Sequence, residues 1–226
     1  MWRWLLDLVL PPRCGGCGRL GAWFCADCRF LLRVLQEPLC PRCGRELEVR
    51  GEQCTCRRQL RALESLRSAA AYEGPLERAI HRLKYQGRRT LAPSLAGLLT
   101  ERYEPFLPAD AWVLPVPLHR RRRRERGYNQ SQLLVDELAH AWTVPAPRGR
   151  LVRGRDTRPQ VGLDRAQRRA NVAGAFVWRG PPLHGRPILL VDDVITTGAT
   201  VEACAVVLQG AGAGAVRALS LARVSA

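Results

Sequence analysis

The chain has 226 residues, 36 of them lysine or arginine against 20 aspartate or glutamate, for a formal net charge of +16. That length allows one domain of ordinary size beside a small appendage, and the longest apolar stretches fall well short of the ~20 residues a bilayer needs, which excludes a helical membrane span. The charge favours polyanionic partners or phosphate-rich substrates, but Lys84 is the single lysine, and so complete a preference for arginine reflects composition bias as much as binding.

In chain order, Trp2–Leu10 reads as a short amphipathic helix docking on the body. Asp7 interrupts its apolar run, no small-residue cleavage site follows, and Pro11-Pro12 leads straight into cysteines, so a secretory signal is not indicated and a cytoplasmic location is expected. Eight of the nine cysteines then follow as close pairs: Cys14-x2-Cys17, Cys25-x2-Cys28, Cys40-x2-Cys43 and Cys54-x-Cys56. Four pairs supply the thiolates of two tetrahedral zinc sites, and Gly18 and Gly44 ease the turn that brings backbone amides to the sulfurs. Sequential pairing needs hairpins of only seven and ten intervening residues. A cross-braced arrangement, a single zinc, and redox or iron–sulfur chemistry stay open as alternatives. A module of roughly 45 residues with few large apolar side chains cannot bury a core, so metal must supply most of its folding free energy. Arg13, Arg19, Arg29, Arg42, Arg45, Arg57 and Arg58 give it a basic face suited to nucleic acid, with only Trp23 and Phe24 as stacking aromatics. Residues 1–60 form this module and residues 61–226 the main domain.

Beyond the cysteines, helix and strand alternate. Arg57–Arg67 reads as a connecting helix, Ser68–Tyr72 as a strand, and Leu76–Tyr85 and Leu91–Tyr103 as helices. Trp112–Val116 is a buried strand, Ser131–Trp142 a helix, Ala175–Trp178 a strand, and Val216–Ala222 a last strand after the turn Gly210–Gly214. Strands separated by helices imply an α/β fold with a mostly parallel sheet. Two arginine-rich stretches interrupt the pattern. Arg121–Arg124 reads as a solvated basic loop, and Arg153–Gln160 as a mobile loop that closes over a ligand, followed by a helix over Leu163–Ala170.

The most informative stretch is Ile188–Thr200. Ile188-Leu189-Leu190-Val191 is a strand buried on both faces, and ligands bind at the carboxyl end of such a strand. Asp192 and Asp193 fall where it leaves the sheet, placed to accept hydrogen bonds from vicinal hydroxyls or to hold magnesium through water. Thr196-Thr197-Gly198-Ala199-Thr200 curls into an anion nest beside the positive end of a helix beginning near Val201. A buried strand with turn-forming aspartates and an ordinary helix cap is the plain alternative. Neither a Gly-x-x-x-x-Gly-Lys nor a Gly-x-Gly-x-x-Gly sequence occurs in the chain.

This stretch resembles the 5-phosphoribosyl 1-pyrophosphate (PRPP) signature of type I phosphoribosyltransferases. Together with the cysteine ladder, Tyr72–Tyr85 with Lys84, Pro115–Leu118 through Arg126–Gln130, and Gln160 through Asn171 to Phe176, nearly the whole chain is similar to the competence protein F (ComF) family, which includes the gluconate-utilisation relative GntX. The Cys54-x-Cys56 pair and Tyr128 depart from that pattern. The resemblance implies a type I phosphoribosyltransferase-like domain behind a double zinc ribbon. It also implies that Asp192 and Asp193 take the PRPP ribose and magnesium, Thr196, Thr197, Gly198, Ala199 and Thr200 the 5-phosphate, and Pro117, Leu118, His119 and Arg120 the pyrophosphate. Arg126 and Asn129 are weaker candidates for the same anion, Lys84 is more readily a survivor of composition bias than a catalytic group, and no general base is assigned. Three functions follow: phosphoribosyl transfer to an acceptor, single-stranded DNA handling with the competence machinery, and PRPP sensing without turnover.

Overall fold

A computed structural model describes residues 11–103, 106–155, 167 and 171–224. The expected segment Trp2–Leu10, the part of the second arginine-rich stretch beyond Arg155, and the Leu163–Ala170 helix apart from Gln167 lie outside the described residues. The centre is a parallel sheet in which β1 (Ser65–Ala71) pairs with β6 (Val216–Arg223), β6 with β5 (Ile188–Ile195), and β5 with β2 (Trp112–Pro115). Buried on both faces, the two inner strands carry the near-continuous apolar runs such positions require. Among the buried polar residues on these strands, Ser220 is matched in register by Ser68 on β1, and their hydroxyls meet at 2.7 Å.

Side chains alternate across the sheet and divide the core in two. Leu189 and Val191 face one side, with α2 (Gly74–Tyr85), α3 (Ala92–Tyr103) and α5 (Gln130–Ala141), whereas Ile188 and Leu190 face α6 (Ala199–Gly210). The cysteine segments are divided in the same way. Cys14, Phe24 and Cys28, around the short helix α1 (Ala26–Phe30), belong to the first core, and Cys40, Cys43, Cys56 and Leu60 to the second. A separate antiparallel pair, β3 (Arg150–Arg153) with β4 (Phe176–Arg179), lies at the edge of that second core. Among the described residues no helix is long and apolar enough to cross a membrane.

The α/β architecture and the mostly parallel sheet agree with the sequence, but several local expectations are corrected. No helix spans Arg57–Arg67: a single 3-10 turn covers Thr55–Arg58, and β1 already begins at Ser65. The Glu202 carboxylate takes up the backbone N–H groups of Arg61, Ala62 and Leu63 at 2.7, 2.8 and 3.1 Å, the donors a helix there would have used internally. The arginine run is helix rather than loop, as α4 (Arg120–Arg126). Arginine is a good helix former, His119 Nδ1 accepts from the Arg121 amide at the start, Arg121 pairs with Glu125 at 2.9 Å, and Gly127 at φ +80° closes the end. Arg153 belongs to β3, not to a loop.

Gly44 fixes how the second cysteine segment meets the sheet. Its φ is +67°, and a Cβ there would lie 2.5 Å from the Leu66 carbonyl oxygen on β1, where the Leu66 amide already donates to the Arg42 carbonyl at 2.7 Å. Gly51 has φ +89° with nothing within 4 Å of a Cβ. Gly51→Ala should therefore cost only the backbone term, about 1 kcal/mol. Gly44→Ala adds overpacking against backbone and should cost about 2–4 kcal/mol in urea unfolding of the zinc-loaded protein. Equal costs would remove the close approach at Gly44 as a determinant of docking.

Candidate functional site

The eight clustered cysteines form two separate groups, Cys14/Cys17/Cys25/Cys28 and Cys40/Cys43/Cys54/Cys56, each with all four sulfurs within 4.8 Å of one another. Pairing is thus sequential. The Sγ–Sγ contacts of 3.6–3.7 Å match the ~3.8 Å edge of a tetrahedron with zinc–sulfur arms of about 2.3 Å. The amides of Gly16 and Cys25 point at Cys14 Sγ from 3.4 Å. Burial pushes the Cys14 thiol up, but those amides and that of Cys17 outweigh it and bring it down to about 6. Cys40 is held at about 7 by the same balance, with the amides of Cys43 and Arg42 opposing burial. Cys28 and Cys56 are raised, first by burial and then by neighbouring thiols. Each group therefore offers one thiolate near neutrality and further thiols that give up protons to a soft cation. The two four-cysteine sets fit two structural zinc ions, and the shorter Cys54-x-Cys56 spacing completes the second set as well as a normal pair would.

The second feature is a cleft of about 660 Å³ at the carboxyl end of the sheet. β5 does not end at Val191 but continues to Ile195, and β2 stops opposite Val191, so Asp192 and Asp193 emerge where one neighbour has gone. Strand alternation turns Asp193 toward α2, where Lys84 Nζ lies 2.8 Å from its Oδ1. Asp193 is 3% exposed, and among the described residues its Oδ2 has no hydrogen-bond partner. Burial opposes the Lys84 charge, but Asp193 and then Asp192 outweigh it and raise its pKa. Asp192 Oδ1 accepts from the Ser131 hydroxyl at 3.0 Å and from the Asp193 amide at 2.9 Å. Burial first, and the adjacent Asp193 charge second, push Asp192 up to about 7.

Basic side chains line the same cleft, beside Glu125. Arg122 and Arg126 of α4 line it, as does Arg153, which is 6% exposed and lies over the Phe176 ring at 5.5 Å. Of the residues singled out in the sequence, Asp192, Asp193, Thr200, Pro117 and Leu118 meet here with Arg126 and Lys84. Others sit elsewhere. His119 caps α4, and Arg120 is exposed and lines a neighbouring cavity of about 580 Å³ that shares Pro117, Leu118 and Arg153 with the cleft. Thr196 and Thr197 line a third cavity of about 250 Å³ beside Cys43, Cys54 and Cys56. Gly198, at φ +82°, precedes α6, and Ala199 opens the helix with its amide 3.3 Å from Thr197 Oγ1. Ser131 and Gln130 do not stand out in the sequence as site residues, because their role depends on α5 starting directly beside the end of β5. The Asn129 side chain, which accepts from the Ser131 amide, is the one local signal of that start.

With this geometry in place, comparison with known proteins adds two findings. A family model described as a double zinc ribbon domain matches residues 5–61. Along most of its length the chain is similar to the DNA utilization protein YhgH of Salmonella typhi, at 34% identity over 96% of this chain and 99% of that one. It is also similar to competence protein F of Haemophilus influenzae, at 31% over 88% and 90% of the two chains, and to competence protein ComFC of Bacillus subtilis, at 28% over 79% and 74%.

Asp192 provides a pH test of the cleft. Its folded pKa of about 7 lies above its ordinary 3.8, so between those values the folded chain binds the extra proton and stability falls as pH rises. Asp192→Asn should flatten that slope and, at pH 8 without divalent cations, stabilise the protein by about 1–3 kcal/mol in urea unfolding. A variant no more stable than the parent at pH 8 would show that Asp192 is not held under electrostatic strain.

Proposed function

The chain belongs to the ComF family, and from that membership we propose that its carboxylate cleft binds PRPP and that the protein transfers phosphoribosyl to an acceptor with release of pyrophosphate. One observation carries this reading: adjacent carboxylates and three arginines, Arg122, Arg126 and Arg153, line a single cleft. PRPP needs both, since its ribose hydroxyls are donors and its phosphates are anions. Asp192 and Asp193 take the ribose hydroxyls. They also offer the oxygen ligands magnesium prefers, including the unpartnered Asp193 Oδ2. Magnesium there would supply charge neutralisation for the departing pyrophosphate. The Thr196–Thr200 loop and the first turn of α6 receive the 5-phosphate, and the Pro117–Arg120 turn receives the pyrophosphate.

Chemically, the bond from the anomeric carbon to a pyrophosphate oxygen breaks ahead of the new bond, its electron pair leaving with pyrophosphate, positive charge develops on the ribose ring, and the acceptor's lone pair then closes the new bond to that carbon. The protein's work is to position and neutralise. Arg126 and Arg153 face the charge gathering on the leaving group, and Asp192 and Asp193 lie nearest the cationic sugar. With magnesium, PRPP should bind in calorimetry and release pyrophosphate when the right acceptor is present. Asp192→Asn combined with Asp193→Asn should abolish both signals. Absence of PRPP binding by the parent protein would overturn the reading, and binding with no turnover across bases and amines would leave a PRPP sensor in its place.

A second reading is favoured by the names of the relatives, which refer to DNA utilization and competence, and by the charge of +16. In it, the basic face of the ribbons holds single-stranded DNA as part of the competence machinery. Arg57 and Arg58 are exposed on the second ribbon. Replacing both with alanine should weaken single-stranded DNA binding at low salt and reduce the log–log salt slope by about 1.4, at ~0.7 per phosphate contact. A parent protein without DNA affinity at low salt would exclude this reading.

A further inference from the structure

The loop Thr196–Thr200 is built against the second cysteine cluster as much as against the carboxylate cleft. Thr196 and Thr197 share a cavity with Cys43, Cys54 and Cys56. The space beneath Gly198 is filled by Leu60, whose Cδ2 lies 3.1 Å from where a Cβ would stand. Leu60 follows the last cysteine of the cluster closely and donates its amide to the Cys56 carbonyl at 2.8 Å.

Glu202 makes the junction firm. It sits in the first turn of α6, and its own amide donates to the Gly198 carbonyl at 2.9 Å. Its carboxylate reaches away from the loop to the amides of residues 61–63. The same segment is gripped from the cluster side. Arg42, between Cys40 and Cys43, donates to the carbonyls of Leu60 and Leu63 at 2.7 and 2.9 Å. An unbroken run of short contacts therefore connects the Cys40–Cys43 turn, the 60–63 segment, Glu202 and the loop. The first cluster is fastened to a different element. Arg82 and Arg78 of α2 donate to the carbonyls of Cys14, Gly15 and Gly16 at 2.7–2.9 Å.

We propose that Glu202 is a positioning residue that couples the second cysteine cluster to the Thr196–Thr200 loop. Metal at Cys40, Cys43, Cys54 and Cys56 then sets how tightly the loop holds a phosphate ester, and metal at the first cluster does not. The ligand named in the test, PRPP, rests on the function proposed above. The coupling itself does not. A charged carboxylate holding three amides is a strong local tie, and its loss frees the 60–63 segment from the loop without touching a zinc ligand.

The full-length, zinc-loaded protein decides the matter. In calorimetry with PRPP and magnesium, Glu202→Gln should weaken binding about tenfold with zinc content and circular dichroism unchanged, whereas Arg19→Ala, which removes the 2.7 Å Arg19–Asp27 pair of the first cluster, should stay within twofold of the parent. Binding free energies are reciprocal, so PRPP should raise the affinity of one of two zinc equivalents by the factor by which metal at the second cluster raises PRPP affinity, read by chelator competition, and this linkage should vanish in Glu202→Gln. Parental PRPP affinity in Glu202→Gln, or PRPP acting on neither or both zinc equivalents, overturns the proposal.

If the parent binds no PRPP, the ligand reading fails by itself and hydrogen exchange settles the coupling. Amides 196–200 should exchange at least tenfold faster in Glu202→Gln and in Cys54→Ser, but at the parental rate in Cys17→Ser. Unchanged exchange in the first two overturns it. Should Glu202→Gln not fold, Leu60→Ala keeps every zinc ligand and hydrogen bond in place and must show the same losses.

Discussion

Two neighbouring carboxylates at the end of a buried strand are the constraint around which the chain is arranged. Water would solvate them easily, but β5 carries them to the edge of the core, and Asp193 is almost wholly enclosed. Such a group survives in charged form only beside an opposite charge. Lys84 supplies it from α2, and the choice of lysine in a chain otherwise confined to arginine has a steric and chemical reason. An ammonium is a compact point charge on a slender stem, suited to a narrow gap over a single carboxylate oxygen, whereas a guanidinium is a broad fork that needs two. The residue that composition bias makes look like a leftover is therefore the counter-charge of the cleft.

Arginine elsewhere has a different task. Arg67, Arg82 and Arg223 all donate to backbone carbonyls of the cysteine segments, at 2.7–3.0 Å. These segments have tight turns and little regular structure, so many of their carbonyls lack partners of their own. A multi-donor side chain reaching in from the sheet or its helices satisfies them and at the same time fastens the ribbon. Part of the net charge is thus spent inside the structure, and +16 overstates what remains as a surface for polyanions.

Elements with a strong local pattern could be read from the sequence. β5, β6, α2, α3 and α6 lie within a few residues of their expected places, because an apolar run or an amphipathic repeat fixes them locally. The cysteine pairs resolve into two clusters for the same reason. What could not be read depends on partners distant in the chain. Residues 61–63 are kept from helix by Glu202, 139–141 positions away. Arg150–Arg153 is too short to show a period and becomes a strand only by pairing with Phe176–Arg179. In the cleft, the adjacent aspartates are evident from the sequence, whereas Lys84, Ser131 and Arg153 gain their significance only when the sheet assembles.

The two aspartates are not equivalent toward an incoming ligand. Asp193 is already committed to Lys84 through one oxygen. Asp192, raised to about 7, holds a proton in a sizeable fraction of molecules at neutral pH. A divalent cation or a set of ribose hydroxyls entering the cleft favours the ionised form and must displace that proton, so binding releases protons and tightens as pH rises through about 7. The ligand's own phosphates also titrate near neutrality, at about 6, so the part of the pH dependence that belongs to the carboxylate wall is the part that Asp192→Asn removes, and that part separates ribose and cation recognition from simple attraction of a polyanion to a basic surface.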